Sequence, residues 1–307
     1  MIRLSPGLRY MAAGAFFFAL MSALVKVAGT RLPTMEVVFA RSVVVLAISA
    51  LVLRRAGVSP RGNRRGVLLL RGGLGFVALS AFYYAVIHLP LADATVIQYT
   101  NPVFTALLAA LLIGEGLRKR EVSLALLSLV GVVVMVRPGF LFGGGVPGLP
   151  PLAAGAALVG AVFSAAAYVA VRFLGRTENP VVIVYWFALV SAVGSLPFLL
   201  ADFVRPTGWE WLVLLGVGVT THLGQVFLTM GLREERAGRA MAVAYLQIVF
   251  AAVWGLLLFA EVPDRWTVLG AGLIVAATWL VARRGGAPEA MPERNTGAGP
   301  WHEKESP

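Results

Sequence analysis

YTNPVFTALLAALLIGE, residues Tyr99 to Glu115, and YLQIVFAAVWGLLLFAE, residues Tyr245 to Glu261, share Tyr, Val-Phe, Ala, Leu-Leu and Glu in one register, 146 residues apart. Each opens on an aromatic ring and an amide, runs through a body oily enough for lipid, and closes on a carboxylate. One chain that writes this pattern twice points to an internal duplication, and the remaining sequence is read outward from it.

The chain has 307 residues, 59% hydrophobic and only 13% charged. A soluble domain averages about half apolar and about a quarter charged. This composition is that of a membrane protein, for which lipid is the solvent of most of the surface. The net charge of +11 does not indicate nucleic acid, because the basic residues sit in short loops between apolar runs. The absence of cysteine excludes disulfides, Cys metal sites and thiol catalysis. Three histidines, one of them in the polar tail, argue against a buried metal cage, so no metal and no cofactor is expected.

Runs of about 20 apolar residues mark crossings of the hydrocarbon core. Ten are expected: 8–28, 35–53, 66–87, 92–114, 121–137, 151–173, 180–201, 210–232, 238–260 and 266–283. The first follows Arg3 and Arg9 as a signal peptide would, but Lys26 and Arg31 flank its far end and nine more runs follow, so it reads as a retained span. The tail, residues 285–307, is polar and Pro/Gly-rich and reads as disordered.

Loop charge sets the orientation. Arg54, Arg55, Arg61, Arg64 and Arg65 lie between spans two and three; Arg118, Lys119 and Arg120 follow span four; Arg233, Arg236 and Arg239 follow span eight; Arg283 and Arg284 follow span ten. The alternate loops are poor in positive charge. The rich loops are therefore cytoplasmic, as are both termini, in a multi-pass protein of the cell membrane. Five spans repeated, with five an odd number, put the second copy upside down. The expected architecture is all-α: ten transmembrane helices as two inverted-topology five-helix repeats, residues 1–146 and 147–284, followed by a cytoplasmic tail. Such repeats, related by an axis in the membrane plane, are how secondary transporters alternate access to a midplane site.

The motifs EVVFARS at the head of span two, LADATVIQYTNPVFTALLAALLIGE and ERAGRAMAVAYLQIVFAAVWGLLLFAE resemble the drug/metabolite transporter superfamily in its ten-span EamA-type branch. The resemblance covers residues 8 to about 284. It implies a permease for small organic metabolites with a central cavity between the halves; amino acids and derivatives, vitamins, nucleotide-type metabolites and drugs are all handled within the superfamily. Such sequences often keep a Pro in both copies, whereas here Pro102 is matched by Ile248, so a kink is expected in the first half alone.

Polar groups inside a span are costly and usually face the bundle interior or a wet cavity. At 100° per residue, Gly218, Thr221, His222, Gln225 and Thr229 fall in one stripe of span eight. His222 is read as the only ionisable side chain near the bilayer centre: a substrate contact or proton-sensitive group, or else a neutral imidazole in one helix–helix bond. In span four Gln98, Asn101 and Thr105 share a face flanked by Thr95 and Pro102, with Tyr99 at its edge. Pro102 leaves a carbonyl unpaired one turn earlier, and such a loosened turn offers backbone groups to a ligand. The second copy supplies Tyr245 and Gln247. Small-residue ladders, Ala15, Ala19 and Ala23 in span one and Ala156, Gly160 and Ser164 in span six, let helices approach closely; Ser22, Ser164 and Tyr168 are weaker cavity candidates. Arg41, several residues inside span two, either snorkels, neutralises a carboxylate or holds an anionic group, and it lies 140° of helix rotation from Glu36. Glu115 and Glu261 are read as structural, closing tight reversals at the surface.

No Asp or Glu falls near mid-span, and no GxxxxGK[ST] loop is present, which excludes ATP drive from within this chain. The function expected is a permease moving a small organic solute by alternating access, not an enzyme. Its partners are that solute and membrane lipids, with no nucleic acid and with a homodimer left open. The alternative is an intramembrane enzyme acting on a lipid-linked substrate, which would need a nucleophile with its base or a metal cluster; a membrane scaffold or sensor would have little use for the polar stripe.

Overall fold

The computed structural model describes residues 5–88, 97–114, 119–137, 139–142, 150–260, 262 and 264–283. These are helical, with no strand among the described residues. The helices are α1 (Pro6–Ala28), α2 (Thr34–Arg55), α3 (Arg65–His88), α4 (Asn101–Ile113), α5 (Lys119–Val136), the single turn α6 (Gly139–Phe142), α7 (Pro151–Leu174), α8 (Pro180–Ala201), α9 (Gly208–Glu234), α10 (Ala237–Ala244), α11 (Leu246–Phe259) and α12 (Arg265–Arg283). Among the described residues seven helical stretches are long and apolar enough to cross a membrane: α1, α2, residues 65–82 of α3, α7, α8, α9 and the composite of α10 with α11. Shorter apolar helices accompany them in α4, α5 and α12. Glu115 and Glu261, Thr95 and the tail 285–307 lie outside the described residues.

Local chemistry fixes the helix starts. Ser5 accepts the Leu8 N–H at the head of α1, with Pro6 at the first helical position, and Asn179 accepts the Val181 N–H at 2.9 Å ahead of Pro180 in α8. Pro is suited to that position because the first N–H groups of a helix have no partner in the helix. At α9, Glu210 reaches back to accept the Thr207 N–H at 2.6 Å and also pairs with Arg31.

Helices pair as α1 with α9, α3 with α7, α2 with α8 and α5 with α12; α4 lies on α7 and α11 on α1. Adding 146 to the residue numbers carries α1 onto α7, α3 onto α9, α2 onto α8, α4 onto α11 and α5 onto α12. Every one of these pairings is thereby exchanged with another or returned to itself. Atomic detail follows the same rule. A Cβ on Gly14 would stand 3.3 Å from the Gly224 carbonyl and 3.2 Å from the Leu228 nitrogen; on Gly160 it would stand 3.2 Å from the Ala78 carbonyl and 3.3 Å from the Phe82 nitrogen. Both glycines are where two helix backbones come closest, as small residues in packed membrane helices allow. Ser22, by contrast, is exposed and donates to its own helix at the Phe18 carbonyl.

The outward surface is rich in large apolar side chains, among them Leu111, Leu152, Leu200 and Leu257, which is what hydrocarbon as solvent requires. Among the described residues the buried carboxylates lie at the ends of the bundle. Glu178 accepts the N–H groups of Asn63 and Arg64 at 2.7 and 2.6 Å, and Glu235 accepts from Ser5 and Arg239. At the opposite end Glu36 accepts the Val204 N–H at 3.0 Å.

Candidate functional site

The candidate site lies where the two copies of the repeated stretch meet. In the first copy, residues 97–98 are helical, Tyr99 and Thr100 form a turn, and α4 restarts at Asn101. In the second, α10 ends at Ala244, Tyr245 forms the break, and α11 restarts at Leu246. The kink expected in the first half alone is thus present in both. Pro102 explains the first break, since it lacks the N–H that the Gln98 carbonyl would take. In the second, Ile248 keeps its N–H but donates it three residues back, to Tyr245 at 3.1 Å, a tightened 3₁₀ turn. The same tightening turns the Val103 N–H to the Thr100 carbonyl at 3.0 Å, leaving the Tyr99 carbonyl for another donor. That donor is the Tyr245 hydroxyl, at 2.9 Å. The two tyrosine rings lie 6.1 Å apart, and Tyr245 is fully buried.

Around this crossing the structure sorts the sequence candidates. Gln98 donates to the Ser164 hydroxyl at 3.0 Å, joining the first break to α7. The side-chain oxygens of Gln98 and Asn101 are buried and take no hydrogen bond among the described residues. Tyr168, one turn beyond Ser164, and Gln247 are half-buried. Thr105 and Thr229 are fully buried but spend their hydroxyls on their own helices, at the Asn101 and Gln225 carbonyls, 2.8 and 2.7 Å away. They shape the helix more than they offer groups to a ligand.

The span-eight stripe divides between two neighbours. Gly218 packs against Val44 of α2, and His222 Nδ1 lies 3.2 Å from the Ser49 hydroxyl on the same helix. Ser49 and His222 stand at the separation of a nucleophile and its base, but both are buried between α2 and α9, and no acid orients the ring among the described residues. Gln225 turns to α3. Thr221 is buried, and its hydroxyl has no partner among the described residues.

Two arginines revise the sequence reading. Arg41 is 6% exposed, so it is buried inside the bundle and does not snorkel to the surface. Arg71 is 2% exposed and is the largest fully buried side chain of the described chain. Its Nη2 donates to Gln225 Oε1 at 3.0 Å, and its guanidinium lies 3.9 Å over the Phe187 ring. His222 is therefore not the only ionisable group in the interior. The signal for Arg71 is in the sequence: it stands five residues inside the expected span 66–87, one fewer than Arg41 in the span 35–53. It follows the basic cluster Arg61, Arg64 and Arg65, and the reading of polar groups inside spans did not single it out. Arg41, Arg71, Tyr168, Tyr99 and Tyr245 are linked in sequence, each within electrostatic range of the next.

Chemically, guanidinium, amide and hydroxyl groups in an apolar surround are equipment for binding a solute rather than for making bonds. No three His, Asp or Glu side chains converge as a metal site among the described residues.

Comparison with known proteins agrees with that chemistry. The model of the EamA-like transporter family matches residues 5–137 and again 151–283, the same 146-residue offset that separates Tyr99 from Tyr245. The chain is 38% identical over 283 residues to the pseudopaline exporter CntI of Pseudomonas aeruginosa, covering 91% of this chain and 97% of that one. It is 33% identical over 285 residues to human solute carrier family 35 member G1, covering 88% of this chain and 77% of that one. A solved crystal structure at 23% identity shares the fold, with a TM-score of 0.79 over 89% of this chain and 96% of the other. The chain belongs to the EamA-like transporter family of the drug/metabolite superfamily, as a multi-pass membrane transporter and not an enzyme.

Proposed function

We propose that this protein is a secondary carrier of the cell membrane that moves a small organic solute by alternating access between two inverted five-helix repeats, residues 1–146 and 147–284, with ten spans and both termini in the cytoplasm. The observation that carries the proposal is the exchange of helix pairs under the 146-residue offset, with the Tyr99–Tyr245 bond at its centre. A two-fold axis through that point gives two halves that rock about one site.

Inversion is supported by the α5–α12 pair. Arg120, at the start of α5, donates to the Leu280 carbonyl near the end of α12, while Arg137, just past α5, pairs with Asp264, just before α12. Arg120 and Asp264 therefore belong to opposite ends of one antiparallel pair, in keeping with the loop charge. The name of the 38%-identical relative supports export as the direction. The solute site is assigned to Gln98, Tyr99, Asn101, Ser164, Tyr168, Thr221, Gln225, Tyr245 and Gln247 together with Arg41. Thr105, His222 and Thr229 serve packing around it.

The test is exchange of labelled metabolites by purified protein in liposomes. Asn101→Ala and Gln225→Ala should raise the half-saturation concentration without lowering expression. Transport at wild-type affinity in both variants would remove these residues from the site, and solutes emerging chemically altered would overturn the carrier.

A further inference from the structure

We infer that the interior site is built for an organic anion, with Arg71 as the residue that anchors it; this rests on the carrier reading above and names the class of its solute.

Arg71 lies in the second turn of α3, roughly 9 Å along the helix at 1.5 Å per residue. A guanidinium carries five N–H donors. Here one is taken by Gln225 Oε1 and the flat face rests on Phe187, while Nε and Nη1 are buried with no acceptor among the described residues. A buried charge left in that state is expensive, and such groups persist where something pairs with them. A second buried positive charge, Arg41, is within electrostatic range of Arg71, and among the described residues no carboxylate pairs with Arg71. Among the described residues the buried carboxylates, Glu36, Glu178 and Glu235, are each engaged by donors at the ends of the bundle. The sequence also leaves this side of the guanidinium without a neighbouring side chain on α3. A Cβ at Gly75 would come 3.0 Å from Arg71 Nη1 and 2.7 Å from the Phe187 ring, so a side chain there would push the guanidinium aside. The free N–H groups are the donors that carboxylate or phosphate oxygens take most strongly. Tyr168 and the unpaired oxygens of Asn101 and Gln98 remain for the neutral or amino parts of the same molecule.

The test uses proteoliposomes loaded with a uniformly ¹³C-labelled soluble metabolite mixture, with the membrane potential held at zero by potassium and valinomycin. Mass spectrometry reads which solutes leave, against protein-free vesicles. The wild-type protein should release carboxylate- or phosphate-bearing solutes and retain amines and neutral amides. Arg71→Gln should cut that release at least tenfold while eluting as the same folded species, and Arg71→Lys should retain part of it. Release of neutral or cationic solutes in place of anions overturns the assignment and leaves the carrier standing, and this readout needs no variant to fold. Undiminished anion release by folded Arg71→Gln removes Arg71 as the anchor. If no solute leaves, the carrier reading itself fails.

Discussion

The hydroxyl of Tyr245 donates to the backbone carbonyl of Tyr99 over 2.9 Å, joining the same residue of two sequence repeats. The bond is possible because both helices break at that point, and it fixes the break of one copy against the other. If the two halves rock as proposed, this bond joins them at equivalent residues.

Tyr245→Phe keeps the ring and removes the donor, stranding a buried carbonyl. Loss of about 1–3 kcal/mol is expected, read as a lower melting temperature of the purified protein. Transport should slow more than apparent affinity changes. An unchanged melting curve would show that the carbonyl finds another partner.

Each repeated stretch ends in a left-handed residue, Gly114 at φ 71° and Ala260 at φ 54°. Gly adopts that region freely, whereas a Cβ costs about 1–2 kcal/mol. Ala260→Gly should therefore raise the melting temperature, and Gly114→Ala should lower it by a similar amount. A fall in stability with Ala260→Gly would count against this reading of the cap.

The chain has no cysteine, so single substitutions report topology without background. Lys119 is exposed and Val262 is 81% exposed. In intact cells a membrane-impermeant maleimide should label Val262→Cys and leave Lys119→Cys untouched until the membrane is opened. Labelling of both from one side would end the inverted-repeat reading.

His222 and Gln225 share a stripe but not a neighbour. His222→Ala loses one bond to Ser49 and should cost about 0.6–1 kcal/mol of stability with transport kept within about threefold. Gln225→Ala strips Arg71 of its remaining side-chain acceptor and should weaken transport more. Equal effects in a transport assay would return His222 to the solute site.

Asp264 caps α12, and the Thr267 N–H, then the Thr267 hydroxyl and the nearby Arg137 charge, hold its carboxyl below the usual range. A depressed carboxyl stabilises the fold above its unfolded titration point and stops doing so as pH falls through its folded one. Melting temperature should therefore drop in acid, and Asp264→Asn should flatten that part of the profile.

Sequence reading went furthest where lipid imposes a simple demand. Apolar runs, loop arginines and the 146-residue register were legible because they are properties of a segment and its neighbours. It went least far at Arg71 and at the second helix break. Nothing in AVAYLQI announces a break: Ile248 has an ordinary N–H, and the turn is completed by contacts made elsewhere. Arg71 sits beside a basic loop that explains it away. Its depth is within one residue of that of Arg41, yet depth alone does not say whether a side chain turns to water or to the interior.

What the sequence determined by itself is where the chain is oily enough to enter a membrane and that it does so in two matching copies, because transfer into hydrocarbon sums over local residues. What the tertiary structure decided is which polar groups share the interior: Tyr245 with Tyr99, Gln98 with Ser164, Arg71 with Gln225. In a medium without water each such group must find its partner on another helix, and that partner is set by packing, not by position along the chain.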